Sequence, residues 1–477
     1  MASLAVITAP GATTTLDDDA IDTLRQALRG ALLRADDPGF AEARRINNAL
    51  IERRPALIAR CTGPADVITA VNFAREHDLL VSVRGGGHNV AGSALADGGL
   101  VIDLSLLKNV RVDPAARTVR AGGGATWGDV DRETQLFGLA TPGGVISTTG
   151  VGGLTLGGGL GHLRRKYGTC CENLVSVDIV TADGQLRTAS ASQNADLFWG
   201  VRGGSSNFGV VTSMEFRLYP VGPMIAMAAP IYPFEEAGAI LRAWRGFMAT
   251  APDEVSSTGL IWSMPALPFV PAEQHGRPIV GLLAVYAGPA EEGERVLQPL
   301  RTLSTPLLDL SNTMPYTVLQ TAFDPFFPYG GLRCYWKSLY LDGFGDDVID
   351  AIVERAAGRP SPEAIVALWH LGGAMNRGGA EDTAFGGRSA TFMLSLDTSW
   401  TDPAADEANI VWTRRFWSEM HAYSSGGLYL NFGGFGEEKD ELVRAAFGPN
   451  YDRLVELKNK YDPSNFFRMN QNIRPTV

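Results

Sequence analysis

The chain has 477 residues, of which 45% are hydrophobic and 19% are charged. This composition is ordinary for a folded globular protein and argues against long disordered stretches. The formal net charge of −11, from 41 basic and 52 acidic side chains, argues against nucleic acid or an anionic membrane as the main partner.

The cysteines and the N-terminal residues show no pattern of a metal site or of a signal peptide. Four cysteines occur, at positions 61, 170, 171 and 334, and no Cys/His spacing indicates a metal, so we predict no metal site. The first 15 residues have no basic start ahead of an apolar run, and no stretch approaches the ~20 apolar residues of a membrane span. We expect a cytoplasmic protein with no membrane partner.

The first half of the chain combines helix and strand patterns with glycine-rich loops. The periodicity predicts helices over Asp17–Gly30, Ala65–His77 and Trp127–Phe137. It predicts strands over Leu79–Val83, Leu100–Leu104, Val110–Val112, Thr118–Ala121 and Phe208–Leu218, and a hairpin over Val175–Ser190 around Asp183-Gly184.

The pattern changes near Pro220, where glycine loops give way to alternating strands and helices. Strands are predicted over Ala226–Tyr232, Ile279–Tyr286, Leu332–Leu341, Ile365–Leu371 and Phe392–Leu396, and helices over Glu235–Met248, Glu291–Leu303, Asp346–Ala356 and Asp406–His421. The tail from Leu428 returns to the earlier style, with a short strand and two helices. We therefore predict three segments: 1–221, a second domain at 222–427, and a C-terminal segment at 428–477 that rejoins the first.

The glycines are clustered, and four interpretations compete for them. No cluster gives a strict GxGxxG that opens a helix, and no Gly-Lys pair exists for a phosphate loop of the GxxxxGK[ST] type. The clusters are either tight turns of a β-rich domain or separate loops that converge on one large phosphate-bearing ligand, bound by exposed backbone N–H groups. Spacing alone leaves these two readings about equal.

His88 favours the ligand reading. It follows a predicted strand and sits in Arg84-Gly85-Gly86-Gly87-His88-Asn89, where the glycines allow close approach. A neutral imidazole can attack the electrophilic 8α position of an oxidised flavin and form a permanent C–N bond. The pattern thus predicts a covalent flavin anchor, although a lone histidine is more often an ordinary loop residue.

These residues resemble the vanillyl-alcohol-oxidase-type (PCMH-type) flavoproteins, and more narrowly their berberine-bridge-enzyme-like branch. The resemblance rests on the His88 loop with Gly92-Ser93, on the second loop from Thr148 to Gly159, and on three shorter motifs: Asp196–Trp199 with Arg202–Gly204, Asn207–Val211, and Tyr429–Phe432 with the ending Asp462–Phe467. It covers the first segment and the tail, and is weaker between them.

The resemblance implies an α+β fold: an FAD-binding domain of two subdomains and a substrate domain whose antiparallel sheet is backed by helices. It implies FAD linked through His88. The other residues it places at the cofactor are Arg84, Gly85, Gly86, Gly87, Asn89, Gly92, Ser93, Gly143, Thr148, Thr149, Gly150, Gly152, Gly153, Leu154, Gly158, Val211 and Asn431.

Two positions depart from the pattern. Many relatives carry a second covalent link through a cysteine where this chain has Ile146, so we predict a single bond. Many also carry a tyrosine base where this chain has Phe432. The remaining base candidates are His370, Tyr335 and Tyr429. Strand alternation would turn Tyr429 away from the face of Phe432, and would put Tyr335 and Tyr340 on opposite faces.

The resemblance implies oxidation of a C–OH or C–N group of a small metabolite or sugar, by hydride transfer to flavin N5. Thr149 aligns with a position that is Val in oxidases and Leu in dehydrogenases. Its shape favours O₂ as the acceptor, with H₂O₂ as product. A dehydrogenase that ignores O₂, and a flavin-binding protein that has lost catalysis, remain as alternatives.

Overall fold

A computed structural model of the chain describes residues 3–434 and 440–477. Helices are combined with sheets that are mostly antiparallel, so the predicted α+β class is confirmed. In the described part of the chain, no helix has the length and apolar character needed to cross a membrane.

A four-stranded sheet places the His88 loop. Its order is Leu32–Leu33, Leu57–Arg60, Leu100–Asp103 and Val81–Arg84, and the last three strands are parallel. Helices Asp18–Ala27 and Pro64–Glu76 cover it with an apolar core. Because Val81–Arg84 ends directly before Gly85, the loop emerges at the carboxyl edge of the parallel strands, where ligands of α/β sheets bind.

A five-stranded antiparallel sheet stands beside the second glycine loop. Its order is Leu186–Ser190, Leu174–Thr181, Gly209–Arg217, Thr118–Gly122 and Val110–Asp113. Its core also contains residues of helices Trp127–Thr134, Val151–Leu156 and Ala195–Val201, and of the tail helices Asp440–Phe447 and Tyr451–Tyr461. The division at 221 and 428 stays a prediction, and this packing of the tail supports it.

A nine-stranded antiparallel sheet, called the large sheet below, fills most of the region from 224 to 400. Its main order is Leu308–Asp309, Pro230–Pro233, Pro278–Tyr286, Val255–Ser263, Ile365–His370, Phe392–Trp400 and Arg333–Leu341, with Met224–Ala228 and Asn312–Pro315 paired beside it. Residues of helices Ala237–Met248, Ala290–Leu297, Asp346–Ala356 and Asp406–Met420 share a core with one face. The opposite face is left for the site.

The remaining elements are short. They include the hairpin Ser3–Ile7 with Thr13–Asp17, the strand pair Leu139–Ala140 with Tyr219–Pro220, and helices Phe40–Ala43, Arg164–Tyr167, Tyr316–Gln320 and Ala374–Arg377. The sequence did not predict the hairpin or the central strand Val255–Ser263. The short strand predicted after Leu428 is wrong, because Leu430–Phe432 forms a 3₁₀ turn.

Candidate functional site

A long cavity lies between the glycine loops and the free face of the large sheet. The His88 loop, the second glycine loop and the end of the tail form its walls on one side. The large sheet contributes Thr258, Leu260, Leu283, Trp336, Ile365, Ala367, Trp369 and Asp397 on the other. The loops of the two small sheets and the large sheet therefore meet at one site.

The two glycine loops touch through their backbones. A Cβ atom on Gly86 would lie 2.4 Å from the nitrogen of Gly150, so both positions need glycine for this approach. Gly153 is different: a Cβ there would meet nothing within 4 Å, and the residue faces the cavity. Glycine at this position leaves room for a ligand rather than for protein.

The His88 side chain lies where these loops meet. Its Nε2 is 2.9 Å from Oγ1 of Thr148, and its Nδ1 is 3.5 Å from Oγ1 of Thr149. Burial lowers the pKa of the imidazole to about 4, although part of the ring surface still faces the open cavity. The ring is therefore neutral at physiological pH and reachable by a ligand.

Most of the predicted cofactor residues line this cavity. They are Gly85, Gly86, Gly87, His88, Asn89, Ser93, Thr149, Gly150, Gly152, Gly153, Leu154, Val211 and Asn431. Thr148 stands behind His88 as its hydrogen-bond partner. Gly143 packs on the ring of Trp127, Gly158 against Phe385, and Gly92 against Ile51, so these three glycines serve packing.

Arg84 does not reach the cavity. Its guanidinium donates to the backbone oxygen of Ala43 and lies 3.6 Å from the Asp103 carboxylate. The prediction that Arg84 lines the pyrophosphate is corrected, because these partners hold the Arg84 guanidinium against the four-stranded sheet and away from the cavity. The cavity is left with backbone N–H groups rather than a cation at this point.

The prediction that Tyr429 and Phe432 face opposite ways is also wrong. In the 3₁₀ turn the Phe432 nitrogen donates to the Tyr429 oxygen at 3.0 Å, and residues three apart stand on one side. Their ring centroids are 5.0 Å apart and both line the cavity. The Tyr429 hydroxyl accepts hydrogen bonds from Gly159 N, Leu160 N and Asn431 Nδ2, and burial raises the pKa of the phenol.

The other two base candidates lie on the helix side of the large sheet. His370 packs against Trp244 and Phe392, and burial lowers the pKa of its imidazole to about 3. The Tyr335 hydroxyl is 3.2 Å from Nε of Arg414, on helix Asp406–Met420. Neither borders the cavity, because alternation along its strand points each side chain toward the face that the helices cover. The predicted opposition of Tyr335 and Tyr340 is confirmed, since Tyr340 packs with Tyr429.

Asp397 is the residue that the sequence analysis missed. It lies on strand Phe392–Trp400, between Trp336 and Ile365 of the neighbouring strands, and borders the cavity. The Ser395 hydroxyl donates to its carboxylate. Burial raises the pKa of the Asp397 carboxyl to about 7. The available signal was a single acidic residue in an otherwise uncharged strand.

The cavity fits FAD in its chemistry. It offers a neutral nucleophilic imidazole, glycine backbone beside it, and a gap at Gly153 that no side chain fills. Exposed backbone N–H groups suit a pyrophosphate, and the apolar large sheet suits a flat ring system. These features belong to separate loops, which the glycine clusters had indicated.

Comparison with known families agrees with this reading. Residues 55–190 match a family model described as FAD binding domain, and residues 428–474 match one described as berberine and berberine like. The first match contains both glycine loops, and the second contains Tyr429–Phe432 and the ending Asp462–Phe467.

Full-length relatives extend the match over the large sheet. An FAD-linked oxidoreductase of Dictyostelium discoideum is 31% identical over 435 residues, which is 90% of each chain. The (R)-6-hydroxynicotine oxidase of Paenarthrobacter nicotinovorans is 30% identical over 473 residues, covering 94% of this chain and 97% of that protein. The crystal structure of 6-hydroxy-D-nicotine oxidase from Arthrobacter nicotinovorans superposes with a TM-score of 0.84 at 29% identity, over 94% of this chain and 98% of that one. The chain therefore belongs to the berberine-bridge-enzyme-like family of FAD-linked oxidoreductases, and it is an FAD-dependent enzyme.

Proposed function

We propose that the enzyme holds FAD through one covalent bond to His88 and oxidises a C–OH or C–N group of a small metabolite, with O₂ as the final electron acceptor. The observation that carries this is the neutral His88 imidazole at the contact of the two glycine loops. When bound, FAD accepts a hydride at N5 and passes the electrons to O₂, giving H₂O₂.

The protein prepares His88 for attachment in two ways. Burial keeps the imidazole unprotonated, so that a lone pair is available. The Thr148 hydroxyl lies within hydrogen-bond distance of Nε2, whereas Nδ1 has only a longer contact with Thr149. When Thr148 accepts from Nε2–H, the lone pair is on Nδ1, and we assign Nδ1 as the nucleophile.

A single bond is proposed because the second family position is Ile146. This side chain also lines the cavity and offers no nucleophile. The four cysteines are buried and free, and none of them borders the cavity. We also propose that the cavity-lining glycines contact the cofactor through their backbone N–H groups.

The oxygen step rests on Thr149. Its side chain borders the cavity beside His88 and is close to valine in shape. A compact side chain leaves space for O₂ where a leucine would fill it. This favours the oxidase over the dehydrogenase.

The test of attachment is acid precipitation of the purified protein. The pellet of the wild-type protein should stay yellow, and that of His88→Ala should release its flavin. His162→Ala is the matched control, because His162 lines the same cavity and burial lowers its pKa to about 3. Retention of flavin by the His88→Ala pellet, or release from the His162→Ala pellet alone, would overturn the assignment.

A further inference from the structure

Four aromatic side chains form one continuous surface along the cavity. Phe327, Trp336, Trp369 and Phe432 are called the aromatic wall here, and all four line the cavity. Trp336 meets Phe432 edge-on at 5.6 Å between centroids and Phe327 at 6.3 Å, and Phe432 lies 6.0 Å from Trp369. Such a surface binds flat apolar groups by stacking and edge contacts.

Asp397 adjoins this wall. Trp336 is its direct partner on the neighbouring strand, and Ile365 is its partner on the other side. The residue is 8% exposed, and its carboxylate accepts a hydrogen bond from the Ser395 hydroxyl. Among the described residues that the large sheet gives to the cavity, only Asp397 and Thr258 carry a side-chain oxygen. One ionisable group thus stands in an otherwise apolar surface.

The groups around Asp397 leave it as the titrating residue on this face. On strand Arg333–Leu341, burial raises the pKa of the Cys334 thiol to about 12, and Lys337 lies 4.6 Å from the Trp417 ring on the helix side. On strand Ile365–His370, His370 also faces the helices. The turn Leu430–Phe432 carries no titratable side chain, and His88 across the cavity is neutral.

We propose that the substrate is a flat, largely apolar alcohol or amine that carries an aromatic ring, and that Asp397 accepts the proton of the hydroxyl or amino group being oxidised. This rests on the proposed function. The O–H or N–H bond breaks toward the Asp397 carboxylate, and the adjacent C–H bond breaks with its electron pair leaving as hydride. The products are a carbonyl compound or imine, reduced FAD as the two-electron acceptor, and protonated Asp397, which returns its proton to solvent.

The same surface argues against a sugar. A pyranose brings several hydroxyl groups, and each that is buried without a partner weakens binding. The large sheet offers two oxygen groups, and Thr258 already lies 3.5 Å from a guanidinium nitrogen of Arg164. The assignment of Asp397 as base also explains why the chain can carry Phe432 where many relatives have a tyrosine, since a phenol is not needed to accept the proton.

Binding to the flavin-loaded enzyme tests the substrate class without turnover. The probes are 2-naphthol and glucose, and the readout is the change in flavin absorbance during titration. We expect 2-naphthol to bind at least tenfold more tightly than glucose, and Asp397→Asn to weaken 2-naphthol binding. Equal or tighter binding of glucose, or no binding of 2-naphthol, would overturn the proposal. Protein that takes up no FAD would instead contradict the proposed function, before any probe is added.

The pH profile of a turned-over aromatic alcohol or amine tests the base. Because the ionised carboxylate is the active form and burial places its pKa near 7, kcat/KM should rise with pH through about 7. In Asp397→Asn this rise of kcat/KM with pH, the limb of the profile, should be absent, and kcat should fall by about 10²- to 10⁴-fold. Ser395→Ala should move the limb to higher pH, since the Ser395 hydrogen bond lowers the carboxyl pKa.

Asp131→Asn is the matched control. Asp131 is also buried, with a pKa raised by burial to about 7, but it bonds Gln320 away from the cavity. Its variant should keep both the limb and 2-naphthol binding. A limb that persists in Asp397→Asn, or that disappears in Asp131→Asn alone, would overturn the role of Asp397.

Discussion

Nε2 of His88 lies 2.9 Å from Oγ1 of Thr148, a residue 60 positions away in the other glycine loop. This contact joins the two loops at the point where the cofactor is proposed to be attached. It orients the imidazole ring and leaves Nδ1 as the freer nitrogen.

Thr148→Val should therefore slow covalent attachment of FAD to apoprotein. The loss of one hydrogen bond of about 0.5–1.5 kcal/mol corresponds to a rate about 2- to 12-fold lower. The measurement is the time course of acid-stable flavin after FAD is added to apoprotein. Thr149→Val is the matched variant and should have the smaller effect, because its hydroxyl is 3.5 Å from Nδ1. The opposite order would contradict the proposed role of Thr148.

Gly153→Ala should reduce FAD uptake without harming the fold. The added methyl group would enter the open cavity rather than protein, and alanine suits helix Val151–Leu156 better than glycine. Overpacking of the cofactor should weaken its binding by about 1–3 kcal/mol.

The readouts are thermal stability of the apoprotein and its flavin content after loading. Gly246→Ala is the matched control: it is also a helical glycine with nothing within 4 Å of the added Cβ, but it lies on the surface of Ala237–Met248. It should stabilise the protein slightly and leave loading unchanged. Normal loading of Gly153→Ala would show that FAD does not pass this position.

Thr149→Leu should convert the enzyme toward a dehydrogenase. The larger side chain would fill the space beside His88 that O₂ needs, whereas substrate reduction of the flavin should continue. Reoxidation in air should slow by about tenfold or more, equivalent to about 1.4 kcal/mol of added barrier. Stopped-flow reoxidation of the reduced protein measures this directly, and an unchanged rate would remove Thr149 from the oxygen step.

Lys458→Met should strongly destabilise the tail. The Lys458 ammonium and the Asp462 carboxylate are both fully buried and 2.7 Å apart, and Lys458 also donates to the backbone oxygens of Asn207 and Phe467. Removing one partner leaves a buried charge uncompensated, which costs about 3–5 kcal/mol. Urea unfolding of Lys458→Met and of the wild-type protein measures this loss of unfolding free energy.

Lys460→Met is the matched control from the same helix. Lys460 pairs with Asp196, but the two side chains are 59% and 37% exposed, so the loss should stay within about 1 kcal/mol. Equal losses from Lys458→Met and Lys460→Met would contradict the view that the buried pair fastens the tail to the FAD-binding part.

The sequence was informative where local pattern decides structure. The glycines around His88 and Gly150 indicate close backbone approach in any fold, and these loops do meet. Helix and strand periodicity placed most elements of the large sheet. Its central strand Val255–Ser263 was not predicted, because its residues form only a mixed apolar run without a clear strand pattern.

Side-chain direction depended on partners that the sequence does not reveal. Arg84 turns inward because Asp103 and Ala43 lie beside it. Asp103 is its partner on the neighbouring parallel strand, and Ala43 belongs to the short helix Phe40–Ala43, which is distant in sequence. Asp397 reaches the cavity because its strand continues to Trp400, past the predicted end at Leu396. Tyr429 and Phe432 share a side because their segment is a turn rather than a strand.

The most direct test of the central claim is peptide mapping of the purified enzyme by mass spectrometry. The account predicts that the peptide containing His88 carries the added mass of one FAD, with the modification located on that histidine, and that all other peptides are free of flavin. An unmodified His88 peptide from yellow protein, or FAD on any other residue, would contradict it.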